Sequence, residues 1–236
     1  MATLTAVSDQ PAKRPPSRTA KAEETRERIL GAAMSLFRKD GYDRTTMRAV
    51  AAKAKVSTGN AYYYFSSKEH LIQAFYDHLQ EEHAAAAAAA LARETAFAAR
   101  LATVLETWLE VAAPHHEFAG QFFRNAADPR SPLSPFSAES APARDASIAL
   151  FEDVVAGSDL KLAAPLRREL PGLLWLLHMG LVLFWVYDDS EGQARSHALV
   201  ASAVPTLDKI ARMTRLPVIR GLVDDLVTVL ENVRGA

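Results

Sequence analysis

One stretch of the chain, residues 42–71, restricts the fold more than any other, because its apolar spacing and capping residues predict two short helices joined by a tight turn. Thr46 can cap the first helix, since its hydroxyl can accept a free N–H group of the opening turn. The residues that follow place one apolar face at helical spacing: Met47, Val50, Ala51 and Ala54. Ser57 or Thr58 can cap a second helix, which we predict to run to about Tyr64. Such a pair of helices is a helix-turn-helix.

The second short helix carries small polar and aromatic side chains where a helix-turn-helix meets DNA. The first residues of that helix contact base edges in the major groove. Asn can bridge to adenine, Ser and Thr can bond to any base, and Tyr hydroxyls and Lys suit phosphate oxygens. Gly59 leaves room for close approach of the backbone. Half-buried tyrosines and a solvated lysine would explain these residues singly, but their combination favours DNA. The candidate DNA-binding residues are Thr46, Arg48, Ser57, Thr58, Gly59, Asn60, Tyr62, Tyr63 and Lys68.

The charge of the chain is divided unevenly between its two ends. The formal net charge is −1, yet residues 1–68 contain 13 Lys and Arg against 6 Asp and Glu, and the remainder contains 14 against 22. Neutralisation of phosphates supplies most non-specific affinity for DNA, so a basic end on an acidic body favours DNA binding by that end. A chance imbalance on a solvated surface is the alternative.

The same stretch resembles the DNA-binding domain of the tetracycline-repressor (TetR) family. The resemblance extends back to about Thr25 and rests on Gly41, Tyr42, Thr45, Thr46, Val50, Ala51, Ala54, Val56, Ser57, Gly59, Tyr62, Tyr64, Phe65, Lys68, Glu69 and Leu71. It implies an all-helical homodimer that binds a palindromic operator in double-stranded DNA, and that usually releases the DNA when a small-molecule effector binds the C-terminal domain. By the same resemblance, phosphate contacts fall on Thr46, Tyr62 and Lys68, and base or groove contacts fall on Ser57, Thr58, Asn60 and Tyr63.

Two residues depart from the family pattern. Lys55 stands where a glycine is usual after the first helix of the pair, so a left-handed conformation there would cost about 1 kcal/mol. Asn60 stands where Thr is common, so the operator sequence cannot be transferred from relatives.

Three parts follow along the chain. Residues 1–20 are rich in Pro, Ser, Thr and Ala and carry several cations, which predicts a disordered basic arm. The arm either reaches into the minor groove or adds only diffuse attraction. Residues 21–68 form the predicted helix-turn-helix domain, and residues 69–236 form the ligand-binding and dimerisation domain. The predicted fold is all-α, with an N-terminal three-helix head and a C-terminal helical bundle.

The predicted helices of these parts begin with a first helix at 22–40 and a long connector that starts at Ser66 or Ser67 and reaches about residue 92. Further helices are expected at 95–113, 115–127, 145–157, 166–187, 191–214 and 218–233, with a Pro- and Ser-rich loop at 128–144.

The helix predicted at 166–187 is the most apolar part of the chain. Its 15 residues from Leu173 to Tyr187 carry no formal charge, which is short of the roughly 20 that a bilayer span needs. We therefore expect no membrane segment, and a helix that is buried or shared with a partner. Together with the helix at 191–214 it predicts a four-helix homodimer interface with two-fold symmetry.

Aromatic residues of the body could line an effector pocket, because apolar walls with one or two polar groups are typical of small-molecule sites. The candidates are Trp108, Phe118, Phe122, Phe123, Trp175, His178, Met179 and Trp185. The alternative is that most of them fill the core.

Catalytic and metal-binding patterns are missing from the sequence. We find no Gly-rich phosphate loop, no nucleophile elbow and no paired metal ligands, and the chain contains no Cys. We therefore expect a cytoplasmic regulator, most simply a repressor, without catalytic residues, metal or cofactor. The alternative is a helical-bundle interaction module that does not bind DNA and would need neither the charge asymmetry nor the surface from Ser57 to Tyr63.

Overall fold

The structure, a computed structural model, describes residues 18–128 and 130–214, and within these ranges every regular element is a helix. The α-helices are α1 (Arg18–Asp40), α2 (Met47–Lys53), α3 (Thr58–Tyr64), α4 (Lys68–Leu91), α5 (Phe97–Ala112), α6 (His116–Ala126), α7 (Ala141–Ala156), α8 (Ala164–Val186) and α9 (Ala194–Met213). Short 3-10 helices at Ala113–His115 and Glu191–Gln193 precede α6 and α9. The predicted all-α fold is confirmed. Most of the predicted arm, and the helix predicted at 218–233, lie outside the described residues.

Helices α1 to α3, which we call the head, form the predicted three-helix unit. The hydroxyl of Thr46 accepts a hydrogen bond from the N–H of Ala49 at 3.2 Å, and the hydroxyl of Ser57 accepts one from the N–H of Asn60 at 3.1 Å. These bonds satisfy N–H groups that have no partner inside the helix. They explain why α2 and α3 begin where they do.

The turn between α2 and α3 contains the predicted left-handed residue. Lys55 has φ 57°, where a glycine would be free of strain. The N–H of Lys55 donates to the carbonyl of Ala52 at 3.2 Å, and the N–H of Val56 donates to the carbonyl of Ala51 at 3.0 Å. This pair of bonds is the Schellman arrangement that closes a helix end, and it holds a lysine in the strained position.

The described residues form two hydrophobic cores. One lies in the head, and the other lies in helices α4 to α9, which we call the body. The head core is built on Ile29, Ala33 and Phe37 of α1, which pack with residues of α2 and α3. Helix α4 belongs to both cores: its first turns add Leu71, Ile72 and Phe75 to the head core, and its last turns add Ala87 and Leu91 to the body core. Helix α4 therefore runs through both cores.

The loop between α6 and α7 is shorter than predicted, because α7 begins at Ala141 rather than at residue 145. Pro142 lies in the first turn of α7, where its missing N–H group costs nothing. The side-chain amide of Gln73 on α4 donates to the carbonyl of Pro132 at 2.6 Å and to the hydroxyl of Ser140 at 2.9 Å. The loop is thus held against α4.

A buried guanidinium joins the ends of two body helices. Arg100 is 5% exposed, and it donates to four backbone carbonyls at 2.5 to 3.1 Å: those of Leu91, Glu94, Asp153 and Val154. Helix C-termini attract cations, and the four bonds compensate for the lost hydration of the charge. A Cβ at Gly157 would collide with Nη2 of Arg100, so a larger residue there would force the guanidinium to move.

Helix α8 is buried on one side only. Its buried residues include Leu174, Trp175, His178, Leu181 and Trp185, and its exposed residues include Leu176, Leu177, Leu183 and Phe184. By length and composition α8 could cross a membrane, yet 44% of its most apolar window is buried inside the body.

Candidate functional site

The first surface of interest is the exposed side of α3. Ala61 faces the head core and is fully buried, which turns the neighbouring residues outward. Tyr63 is 82% exposed and Tyr62 is 50% exposed. Ser57, Thr58 and Gly59 are also exposed, and Asn60 is half-buried. The head therefore brings together, on α3 and its cap residue Ser57, six of the nine predicted DNA-binding residues.

 

The remaining three lie on neighbouring elements: Thr46 and Arg48 at the start of α2, and Lys68 at the start of α4. The hydroxyl of Thr46 accepts its capping bond and keeps its own hydrogen free to donate to a phosphate.

Positive charge surrounds α3 without nearby compensation. Arg44, Arg48, Lys53 and Lys55 are exposed, and the sequence has no Asp or Glu between Arg44 and Lys68. Within the described residues, no ion pair or hydrogen bond is found for the side chains of Arg48, Lys53 and Lys55. These cations are therefore available to an anionic partner.

Lys68 differs from the other cations, because its ammonium group has partners inside the protein. Its Nζ donates to the carbonyl of Tyr42 at 2.9 Å and lies 4.3 Å from the centre of the Tyr42 ring. The Tyr42 hydroxyl in turn donates to Glu69 at 3.0 Å, and burial raises the pKa of Tyr42, so this hydroxyl stays protonated. Lys68 therefore stabilises the junction of the head with α4, whatever else it contacts.

The second region of interest is an aromatic cluster inside the body, formed by His83, Trp108, Phe151, His178 and Trp185. The Trp108 ring meets the His178 ring edge-on at 5.0 Å and the Trp185 ring at 5.1 Å. His178 also contacts His83 at 6.1 Å and Phe151 at 5.7 Å. Three predicted pocket residues, Trp108, His178 and Trp185, thus lie together.

Three nitrogen atoms of the aromatic cluster are buried and have no hydrogen-bond partner in the described part of the chain: Nδ1 of His83, Nδ1 of His178 and Nε1 of Trp185. Burial lowers the pKa of His178 to about 3, and it also lowers the pKa of His83, so both rings are neutral near pH 7. Nε2 of His83 lies 2.7 Å from the carbonyl of Val104 and must donate to it, which leaves Nδ1 of His83 as an acceptor.

The other predicted pocket residues do not all join the aromatic cluster. Trp175 is buried nearby and packs against Phe136 at 5.5 Å, and Met179 is half-buried against the body core. Phe123 meets Tyr187 at 6.1 Å. The side chain of Phe118 lies outside the described part of the structure.

Phe122 belongs to the head core rather than to the body. Its ring lies 5.8 Å from Phe37, 6.4 Å from Tyr42 and 6.1 Å from Phe75. The prediction that Phe122 lines a cavity between body helices has no support in this position, because α6 points this ring towards the head.

His83 was missed by the sequence reasoning, although a signal was present. It falls in a series of every fourth residue along α4, with Phe75, Leu79, Ala87 and Leu91. That spacing marks one face of a helix and predicts burial of the histidine.

Two further observations limit the chemistry of the body. A shallow surface depression, lined by Ala86, Ala89, Ala90, Arg93, Glu94 and Thr103, shares no residue with the aromatic cluster. Over the described ranges, no group of three His, Cys, Asp or Glu side chains could hold a metal ion.

Comparison with known families gives two matches along the chain. Residues 29–75 match the family described as bacterial regulatory proteins, tetR family. Residues 100–229 match the family described as tetracyclin repressor-like, C-terminal domain.

Curated relatives match only the N-terminal part. An uncharacterised HTH-type transcriptional regulator of Mycobacterium tuberculosis is 47% identical over 60 residues, which is 25% of this chain and 28% of the relative. The HTH-type transcriptional repressor KstR of Rhodococcus jostii is 50% identical over 50 residues, which is 21% of this chain and 24% of the relative. The chain thus spans about a quarter of the length of these relatives.

Solved structures share the fold over most of the chain. The TetR transcriptional regulator from Nitrosomonas europaea has a TM-score of 0.60 at 18% identity and covers 78% of this chain and 97% of its own. The regulator FadR from Bacillus subtilis, solved in complex with stearoyl-CoA, has a TM-score of 0.59 at 16% identity and covers 75% and 97%. At these identities the likeness extends to the fold alone.

Proposed function

The chain belongs to the TetR family, and from this premise we propose that it is a sequence-specific DNA-binding transcriptional regulator, most simply a repressor. The observation that carries the proposal is the exposed side of α3, together with three exposed cations on α2 and the turn before α3 that have no partner among the described residues. Small polar groups at the start of α3 suit base edges, and the cations at Arg48, Lys53 and Lys55 suit phosphates. We propose no catalytic role.

The proposed regulator acts as a homodimer on a palindromic operator. Helices α8 and α9 carry exposed apolar side chains that a second copy of the chain would bury: Leu176, Leu177, Leu183, Phe184, Leu199, Ile210 and Met213. Small residues on the exposed side of α9, such as Ala198, Ala201 and Ser202, would permit close approach of the partner helix. A two-fold axis through this face would direct two α3 helices to major grooves about 34 Å apart.

A small-molecule effector is the proposed signal, with Trp108, Trp175, His178 and Met179 near its binding site. The support is the body core, which combines aromatic walls with buried polar nitrogens. An effector lowers the affinity for DNA only to the extent that it binds one spacing of the two heads more tightly than the other. Such a regulator acts in the cytoplasm, where it meets both DNA and metabolites.

Selection from a random duplex library tests DNA recognition. We expect the wild-type protein to enrich a two-fold palindrome at moderate salt. Arg48→Ala should weaken binding across all sequences and reduce the salt slope by about one, because one phosphate contact is lost.

The matched control is Arg93→Ala. This variant also removes one positive charge, but just beyond the end of α4 that is distant from the head. Arg93→Ala should enrich the same palindrome with wild-type affinity. Lys68→Ala is a poorer choice of variant. It would remove the contacts of Lys68 with Tyr42, so a loss of stability could not be told from a loss of DNA binding. Absence of any enriched sequence at low salt would contradict the proposal and favour a helical module that does not bind DNA.

A further inference from the structure

Helices α4 and α5 leave a largely apolar depression on the surface of the body, at the end of α4 that is distant from the head. Three exposed alanines of α4 line it together with the loop after α4 and one residue of α5: Ala86, Ala89, Ala90, Arg93, Glu94 and Thr103. Alanine side chains are short, so a further helix could approach the backbone of α4 closely here. None of the described helices does so, because the three alanines stay exposed.

The last described turn of α9 lies beside this depression. Arg212 donates from Nη2 to both carboxylate oxygens of Asp159 at 2.9 Å. Asp159 in turn accepts a bond from the N–H of Phe97 at 3.2 Å and donates its own N–H to the carbonyl of Thr95 at 2.8 Å. Thr95 directly follows two residues that line the depression. The chain therefore leaves α9 close to the loop that borders the depression.

The sequence after α9 has the apolar pattern of an amphipathic helix. At 3.6 residues per turn, eight apolar side chains fall within less than half of the helix circumference: Ile219, Leu222, Val223, Leu226, Val227, Val229, Leu230 and Val233. Polar residues occupy the other side: Arg220, Asp224, Asp225, Thr228, Glu231 and Asn232. A helix of this length is marginal in water on its own and gains its stability by burying its apolar face. The segment therefore needs an apolar surface to cover.

The connection from α9 keeps this segment close to the depression. Only Arg215, Leu216 and Pro217 separate Thr214 from Val218, and a stretch of this length spans at most about 14 Å. Proline is also well suited to the start of a helix, where its missing N–H group has no partner to lose. The helix must therefore begin near the loop after α4, where the depression lies.

Charge favours the same occupant. Arg93 is exposed, and its side chain has no ion pair or hydrogen bond among the described residues. The neighbouring carboxylate of Glu94 accepts bonds from two backbone N–H groups of its own loop at 2.8 Å. The segment carries two adjacent acids, Asp224 and Asp225, on its polar side. An ion pair of either acid with Arg93 would favour one direction of the docked helix.

We propose that residues 218–233 form a helix that packs against their own chain in this depression, with leucine side chains over Ala86 and Ala89 and the acidic pair near Arg93. The docked helix would hold the last turns of α4 against α5, at the end of the body remote from the head. This inference goes beyond the proposed function and is independent of it, since it needs neither DNA nor an effector.

Engineered disulfides test the contact, and the chain has no cysteine of its own to interfere. In the full chain, Ala89→Cys is combined in turn with Leu222→Cys, Leu226→Cys and Leu230→Cys, and each double variant is oxidised mildly. We expect at least one pair to form an intramolecular disulfide in most molecules, detected by mass spectrometry of the digested protein. A disulfide requires Cα atoms within about 7 Å, so it reports direct contact.

Ala88→Cys, combined with the same three partners, is the matched control. Ala88 is also an exposed alanine of α4, but it lies on the opposite flank of the helix from the depression. Its combinations should form little intramolecular disulfide.

Hydrogen exchange gives a second readout that needs no cysteine. Backbone amides of residues 218–233 should exchange at least about tenfold more slowly in the wild type than in Ala89→Arg, whose long charged side chain would block the depression. Arginine is a good helix former and Ala89 is exposed, so α4 should stay folded. Ala88→Arg is the control and should keep the protection of the wild type.

Three results would overturn the proposal. Disulfide yields with Ala89→Cys that are negligible, or no higher than with Ala88→Cys, would show that the segment does not occupy the depression. Covalent dimers would assign the depression to a second copy of the chain. Unchanged protection in Ala89→Arg would place the segment on another surface, such as the exposed side of α8 and α9.

Discussion

At the scale of single residues, several polar groups make no contact within the described part of the chain. Arg48 and Tyr63 are exposed on the head, and Nδ1 of His178 is buried without a hydrogen-bond partner among the described residues. Lys55 keeps a left-handed backbone that a glycine would adopt without strain. Such residues are best explained by a partner outside the chain, and substitutions at them separate stability from binding.

Gly59→Ala should raise thermal stability and weaken DNA binding. A Cβ at Gly59 meets nothing within 4 Å, and alanine favours a helix by up to about 1 kcal/mol. The added methyl group would occupy space that DNA needs. The control is Gly31→Ala on α1, where a Cβ is also free of contacts. Thermal melts should rise in both variants, but only Gly59→Ala should lose affinity for the selected duplex. Wild-type affinity in both would contradict this role of Gly59.

Lowering the pH should destabilise the body at pH values above those at which its carboxylates become protonated. Burial lowers the pKa of His178 from an unfolded value near 6.5 to about 3, so the unfolded chain binds more protons between these limits. The stabilisation from neutral His178 is fully present above pH 6.5. As the pH falls below that value, this residue lowers the free energy of unfolding by up to about 1.4 kcal/mol per pH unit. Burial lowers the pKa of His83 and His115 in the same direction.

Urea unfolding at pH 7, 6 and 5 measures this dependence. His178→Phe should flatten the decrease in unfolding free energy, whereas His78→Ala, at an exposed histidine, should leave it unchanged. An equal slope in the wild type and His178→Phe would show that His178 does not contribute.

At the scale of helices, α6 connects the two cores of the molecule. Phe122 packs among the rings of the head core. His116, near the start of α6, places Nε2 2.8 Å from the carbonyl of Trp185 and its ring 4.7 Å from the Trp185 ring. Contacts of α6 therefore extend from Trp185 in the body core to the rings of the head core.

Phe122→Ala should destabilise the protein by about 3–5 kcal/mol, because it removes a buried ring from the junction of head and body. Phe123→Ala is the matched control, since Phe123 is only partly buried and should cost clearly less. Chemical denaturation of both variants measures the difference. Equal costs would contradict the placement of Phe122 in the head core.

Sequence patterns predicted most of the helices, because caps and apolar spacing act within a few residues. They did not predict features that depend on packing between distant parts of the chain. Thr46 and Ser57 mark the starts of α2 and α3 because a cap acts within one turn. The direction of Phe122 could not be inferred, because adjacent aromatics at 122 and 123 both suit a buried helix face and only the packing of α6 decides between them. The candidate DNA surface was predictable from its motif, whereas the contacts of Lys68 with Tyr42 were not.

At the scale of the whole molecule, charge and apolar surface are separated. The head presents exposed cations, and α8 and α9 present exposed apolar side chains at the other end of the chain. A soluble monomer rarely exposes such a set of large apolar residues on neighbouring helices. The arrangement suits a dimer whose two heads remain free for DNA.

Leu183→Glu combined with Phe184→Glu should convert the proposed dimer into a monomer, because it places charges on the face that the partner would bury. Both residues are 42% exposed in the single chain, so the fold should persist. Phe136→Glu, at an exposed aromatic outside α8 and α9, is the control and should remain dimeric. Sedimentation equilibrium at micromolar concentration distinguishes the states. A monomeric wild type, or a dimeric double variant, would contradict the proposed interface.

The central claim, that two heads of one dimer read one palindrome, is tested most directly by comparing the selected full-length duplex with a duplex that contains one half-site. Equilibrium binding at fixed salt should show affinity for the full palindrome at least about a hundredfold higher, because the second head binds at a high effective concentration. The Leu183→Glu/Phe184→Glu variant should lose most of that advantage. Equal affinity of the wild type for the two duplexes would contradict the account.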